Sequence, residues 1–110
     1  MNLALNTHQV QPGVLCIAIG GEIDMSTTDQ LSDALTTAIL TQHVTTVQVD
    51  LSAVTFLDSV GIGTLIQGMN LAAEHQREYH VINARGRVQR VLQLTGMLDV
   101  LTGEDTERQP

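Results

Sequence analysis

The segment from Asp50 to Leu65 constrains the possible folds of this chain more than any other, and its sequence is DLSAVTFLDSVGIGTL. A β-branched strand ends at Asp50, a short connector follows from Ser52 to Leu57, and a helix with an apolar stripe begins at about Ser59. Asp58 and Ser59 therefore lie where the helix starts. The free N–H groups of a first helical turn and the positive end of the helix dipole both favour a negative charge there. The segment thus predicts a serine that can carry a phosphate without unfolding its surroundings.

The first part of the chain predicts a β-hairpin. Leu3, Leu5 and Thr7 alternate with polar or small residues, and an apolar run extends from Val14 to Ile19. Pro12-Gly13 between these two runs is a strong turn signal. We expect the second strand to stop at Gly20-Gly21 and Glu22-Ile23-Asp24 to form a loop.

After the hairpin, helical and strand patterns alternate. A first helix is predicted to begin at Ser26, which together with Asp29 three residues later resembles a capping box. The remaining predicted elements are the strand Val44–Val49, the helix Ser59–Glu74, the strand Tyr79–Ile82 and the helix Gly86–Leu94, with Gly96 as its terminator. This alternation favours parallel strands joined by right-handed crossovers. We therefore predict an α/β fold, in which a single-layer mixed β-sheet of four to five strands packs with three to four helices.

Length and composition predict one domain. The chain has 110 residues, 43% of them hydrophobic, which suffices for a single core. We expect this domain to span residues 1–102 and the polar residues 103–110 to form a flexible C-terminal tail. The single cysteine, Cys16, is expected to be a small buried residue of the second strand.

The net charge disfavours several classes of partner. Twelve carboxylates outweigh five arginines, the net charge is −7, and the chain contains no lysine. Such a chain repels nucleic acids and anionic membrane surfaces, whereas a partner with a basic contact face fits it better. The amino terminus lacks the positive region of a secretory signal, since the first arginine is Arg77, and the apolar runs are too short to cross a bilayer. We therefore expect a cytoplasmic protein.

The residues around Ser59 carry a resemblance to a known family. The order DLSAVTFLDSVGIGTL resembles the phosphoacceptor segment of the STAS domain, the fold of bacterial anti-sigma factor antagonists, with Ser59 at the position of the regulatory phosphoserine. Gly21-Glu22-Ile23-Asp24 looks like a characteristic loop of the same family. A third set of residues looks like the last strand and helix of the same family: Asn83, Val88, Arg90, Val91, Leu94, Thr95 and Gly96.

The resemblance implies a regulatory protein rather than an enzyme. In its unphosphorylated form such an antagonist binds and sequesters an anti-sigma factor that is also a serine kinase, and the sigma factor is released. The kinase phosphorylates the antagonist, here on Ser59, and a PP2C-type phosphatase resets the cycle. The resemblance also implies that Asp58 orients the hydroxyl or contacts the kinase. Because Gly61 and Gly63 have no side chains, we further expect them to leave the first helical turn open to a partner, at a cost in helix propensity. The implied partner-binding residues are Asp24, Asp58, Ser59, Val60, Gly61, Ile62 and Gly63.

Other interpretations of the same residues stay open. Aspartate and serine before a helix are ordinary capping residues, and a non-switching STAS subunit of a lipid-transport or stress-sensing assembly would carry them as well. An enzyme with Ser59 as nucleophile is a distant alternative, because Leu57 occupies the first glycine position of a Gly-x-Ser-x-Gly elbow.

Val60 stands where many relatives have a second serine or threonine. The four histidines lack metal-ligand spacing, and no motif predicts a cofactor or a metal.

Overall fold

The four strands form one mixed sheet in the order β1-β2-β3-β4, in which β1 and β2 are antiparallel and the other neighbours are parallel. The computed structural model describes residues 3–102 of the chain. Its elements are β1 Leu3–Gln11, β2 Val14–Ile23, α1 Thr28–Leu40, β3 Thr46–Leu57, α2 Ser59–Glu74, β4 Glu78–Ile82, α3 Gly86–Leu94 and α4 Leu98–Thr102. This architecture confirms the predicted α/β fold.

Several local predictions are confirmed, and one lies outside the described residues. The hairpin turns at Pro12-Gly13, where Gly13 has a φ of 82°. Gly96, with a φ of 77°, follows the end of α3. Cys16 is buried in β2, and this burial, together with the nearby charge of Asp50, raises the pKa of its thiol. The predicted flexible tail, residues 103–110, falls beyond the described part of the chain.

The predicted ends of β2 and β3 are wrong. β2 continues to Ile23 instead of stopping at Gly20-Gly21, and β3 continues to Leu57, so that the expected connector Ser52–Leu57 is strand. Two register shifts, each with one extra residue in β3, let the strands keep pairing as far as Ile23 and Leu57. Because β4 pairs with β3 only up to Asp50, the last part of β3 extends beyond β4 and leads directly to α2.

The start of α1 also differs from its prediction. The helix begins at Thr28 and its N-cap is Thr27, so Ser26 and Asp29 do not form a capping box. The reason is a competing acceptor, since the Ser26 hydroxyl donates to Asp24 Oδ1 at 2.7 Å. Ser26 therefore belongs to the loop before the helix.

The core holds α2 in a defined position on the sheet. Ile17, Val49 and Val81 pair across β2, β3 and β4, are at most 1% exposed, and share one apolar cluster with Leu65 of α2. The buried phenol of Tyr79 on β4 donates to Leu65 O at 2.8 Å, and burial raises the pKa of this phenol. Within residues 3–102, no helix has the length and apolar character needed to cross a membrane.

Candidate functional site

The candidate site is the junction between β3 and α2. Ser59 is the first residue of α2, and it is exposed. Asp58 is the N-cap in an extended conformation, and its Oδ1 accepts a hydrogen bond from the Gly61 N–H at 2.9 Å. Asp58 O also accepts the Ile62 N–H at 3.0 Å. Asp58 thus completes the first helical turn, while Ser59 is left exposed to solvent.

The loop between β2 and α1 lies beside this junction. The Asp58 N–H donates to Ile23 O at 3.3 Å, which joins the end of β2 to the start of α2. The next residue, Asp24, accepts hydrogen bonds at Oδ1 from the N–H and the hydroxyl of Ser26, at 2.9 and 2.7 Å. These bonds lower the pKa of Asp24, so its carboxylate is charged at neutral pH. The structure therefore brings Asp24 and Asp58 to the same end of the sheet as Ser59.

The buried side chain of Thr27 stabilises this loop, a role that was not predicted from the sequence. Its side chain is 0% exposed. Its Oγ1 accepts the Asp24 N–H at 3.0 Å and donates to Glu22 O at 2.8 Å. The sequence offers only a weak signal for this role, because Thr27 directly precedes the first helical residue but its side chain makes no capping hydrogen bond. Thr27 is thus a positioning residue for the loop that carries Asp24.

We expect Thr27→Val to destabilise the domain by about 1–3 kcal/mol, because a valine of the same shape leaves the Asp24 N–H and Glu22 O without their partner. Urea unfolding will measure the loss. Thr28→Val is a suitable control, since the Thr28 hydroxyl makes only a 3.4 Å bond to Met25 O. Equal stabilities of the two variants would contradict the role of Thr27.

Gly61 does not keep the first helical turn open, and that expectation is wrong. Gly61 is buried, and a Cβ added there would lie 2.6 Å from Ile23 Cγ2, 2.7 Å from Leu57 Cδ1 and 3.0 Å from Ile23 O. The missing side chain makes room for Ile23 of the same chain rather than for a partner. Ile62 is buried as well. A Cβ added at Gly63, in contrast, would have no atom within 4 Å.

The predicted partner-binding residues therefore fall into three groups. Ser59 and Val60 are exposed. Asp24, Asp58 and Gly63 are half-buried, whereas Gly61 and Ile62 are buried and support the others. No cluster of three or more histidine, cysteine, aspartate and glutamate side chains in residues 3–102 is arranged to hold a metal ion.

Comparisons with known proteins point to one family. A family model of the STAS domain matches residues 7–109. The anti-sigma-B factor antagonist of Staphylococcus aureus is 27% identical over 108 residues, which cover 97% of this chain and 98% of that protein. The crystal structure of an anti-sigma factor antagonist from Mycobacterium paratuberculosis superposes with a TM-score of 0.78 at 30% identity and covers 92% of this chain and 83% of that one.

The fold is also that of the anti-sigma factor antagonist SpoIIAA. Its unphosphorylated form matches with a TM-score of 0.75 at 24% identity, over 96% of this chain and 95% of that one. Its phosphorylated form matches with a TM-score of 0.69 at the same identity, over 96% and 98% of the two chains. The fold described here is therefore found in a protein solved both with and without a phosphate.

Proposed function

The chain belongs to the STAS domain family, and we propose that it is an anti-sigma factor antagonist that phosphorylation of Ser59 switches off. In the unphosphorylated form it binds and sequesters an anti-sigma factor serine kinase, so that the sigma factor is released. The kinase then phosphorylates Ser59 with ATP and dissociates, and a PP2C-type phosphatase restores the binding form. The protein acts in the cytoplasm as a substrate and binding partner, with no catalytic residue of its own.

The observation that carries this proposal is the exposed hydroxyl of Ser59 at the first position of α2. A modifying kinase must reach this oxygen without unfolding the domain. The helix start is already completed by the Asp58 carboxylate, which accepts the Gly61 N–H, so the Ser59 side chain has no capping role to lose. The hydroxyl is thus available for phosphorylation.

The phosphate has opposing effects on the isolated domain. The helix dipole stabilises a negative charge at this end by about 0.3–1 kcal/mol, while the carboxylates of Asp58 and Asp24 repel it. Since these effects are similar in size, the fold tolerates the phosphate. A docked partner changes the balance, because a phosphate buried without matching donors costs several kcal/mol. The switch therefore acts on binding rather than on folding.

Intact-mass measurement after incubation with candidate anti-sigma factor kinases and ATP tests the proposal. We expect one phosphate on the wild-type protein and none on Ser59→Ala. Thr55→Ala is a matched control, because Thr55 is also exposed at the end of β3 but precedes the helix. It should be modified like the wild type. Equal phosphorylation of Ser59→Ala and wild type would refute the site.

The same experiment separates the proposal from the alternative of a non-switching STAS subunit. A subunit of a larger assembly would bind its neighbours without modification. A wild-type protein that stays unphosphorylated with every kinase, yet is recovered in a stable complex, would support that alternative.

A further inference from the structure

We propose that Met25, Phe56 and Val60 form an apolar docking patch next to Ser59, and that its occupant is a protein with an apolar contact surface bordered by arginine or lysine side chains. This inference rests on the proposed function, because it gives the chemistry of the partner that Ser59 controls. Neither Met25 nor Phe56 stands out in the sequence as a binding residue. Their role follows from exposure and position.

The three side chains are large, apolar and open to solvent. Met25 is 77% exposed, Phe56 is 44% exposed and Val60 is 42% exposed. Phe56 is the only phenylalanine of the chain. A single exposed apolar residue needs no explanation, but a group of them at one end of a small domain is typical of a protein–protein contact.

Three separate segments bring these residues to the same end of the sheet. Phe56 pairs with Glu22, and the next residues, Leu57 and Ile23, pair with each other. The Asp58 N–H then donates to Ile23 O, which places the first turn of α2 beside the end of β2. Met25 follows two residues after Ile23, and Val60 follows directly after Ser59. All three residues therefore lie at the end of the sheet that carries Ser59.

The loop that carries Met25 is ordered before any partner arrives. The N–H groups of Thr27 and Thr28 both donate to Asp24 O, at 3.0 and 3.1 Å. The buried Thr27 hydroxyl adds the bonds to Asp24 and Glu22 described above. A preformed contact surface loses little conformational entropy on binding, so apolar burial contributes more of its free energy to affinity.

The carboxylates around the patch indicate which side chains border the contact surface of the partner. The segments 22–29 and 56–60 carry Glu22, Asp24, Asp29 and Asp58 and contain no basic residue. The four arginines of residues 3–102 lie in other segments: Arg77, Arg85, Arg87 and Arg90. Arg77 donates to Ile39 O and Arg85 donates to Ser52 O. An acidic rim favours a partner with arginine or lysine around its apolar surface and repels nucleic acid and anionic lipid.

This arrangement also accounts for the effect of a phosphate. A phosphate on Ser59 would stand directly beside Val60, within a surface whose binding depends on the exclusion of water. The apolar contacts supply no donors to replace the lost hydration of the phosphate, and the partner's arginine or lysine side chains lie at the rim, opposite the carboxylates, rather than over the apolar centre. The apolar character of the patch is therefore what makes docking sensitive to phosphorylation.

The test uses the kinase that modifies Ser59 in the mass experiment, without ATP, and measures its dissociation constant for each variant by calorimetry. We expect Met25→Ser and Phe56→Ser each to weaken binding by about tenfold or more, as truncated anchor residues do. Leu94→Ser and Val10→Ser are matched controls, since these exposed residues, 76% and 53% accessible, lie on α3 and β1 away from Ser59. Both controls should bind like wild type.

Three results would overturn the inference. If Met25→Ser and Phe56→Ser, shown to be folded by urea unfolding, bind as tightly as the two controls, the patch is not the docking surface. If the dissociation constant of the wild type does not rise as salt is raised, the basic rim is wrong. In both cases phosphorylation of Ser59 can still occur, so the proposed function stands. If no kinase modifies Ser59, the proposed function and this inference fail together.

Discussion

Gly61→Ala will destabilise the domain although it places the best helix former in a helix. The added Cβ would lie 2.6 Å from Ile23 Cγ2 and 3.0 Å from the backbone oxygen Ile23 O. Neither atom is the free end of a flexible side chain, so α2 must move away from β2. Overpacking of this kind typically costs about 1–3 kcal/mol, whereas alanine improves helix propensity by about 1 kcal/mol. We expect a net loss of up to about 2 kcal/mol in the free energy of unfolding.

Gly63→Ala is the matched control for this variant. It lies two residues later in the same helix, and its added Cβ would meet nothing within 4 Å. Only the helix propensity changes there, so we expect a gain of about 0.5–1 kcal/mol. Urea unfolding of both variants measures the two effects, which should have opposite signs. A Gly61→Ala protein as stable as Gly63→Ala would show that the contact with Ile23 is not tight.

The Gly61 contact also matters for the site. Ile23 precedes Asp24, and the first turn of α2 carries Ser59 and Val60. A shift of α2 away from Ile23 will therefore separate Ser59 from the loop that carries Asp24 and Met25. Gly61 therefore supports the position of Ser59 and Val60 through its close packing against Ile23.

Phosphorylation of Ser59 will weaken binding of the anti-sigma factor kinase by about 100-fold or more and leave the stability of the free domain within about 1 kcal/mol of its unmodified value. The first effect follows from burying a phosphate without matching donors, at a cost of several kcal/mol, where each 1.4 kcal/mol is about tenfold in affinity. The second follows because the helix dipole and the neighbouring carboxylates act on the phosphate in opposite directions.

Calorimetric titration and urea unfolding of the phosphorylated and unmodified proteins will measure these two effects. Ser59→Ala serves as the uncharged control and should bind within a few-fold of wild type, since the exposed hydroxyl contributes little to an apolar contact. A phosphorylated protein that binds as tightly as the unmodified one would exclude the switch. A phosphorylated protein that has lost several kcal/mol of stability would mean that the phosphate acts on folding instead.

The bounds of two helices could be predicted from the sequence, whereas the ends of two strands could not. The bounds of α2, Ser59 to Glu74, and of α3, Gly86 to Leu94, are as predicted from apolar spacing and glycine. The ends of β2 and β3 are not, because a strand continues as long as it finds a partner. Here Gly21, with a φ of 104°, lies between the two register shifts that keep β2 and β3 paired.

Local patterns were enough to predict the order of the elements as far as α3 and the position of Ser59 at a helix start, because helical periodicity and capping act between residues a few positions apart. The short helix α4, Leu98–Thr102, was not predicted. Only the folded chain shows that Ile23 lies against Leu57 and Gly61, that the Thr27 side chain is buried, and that Met25 lies at the same end of the sheet as Ser59. Ile23 lies more than 30 residues from Leu57 and Gly61 along the chain, and only the pairing of β2 with β3 and the packing of α2 bring these residues together.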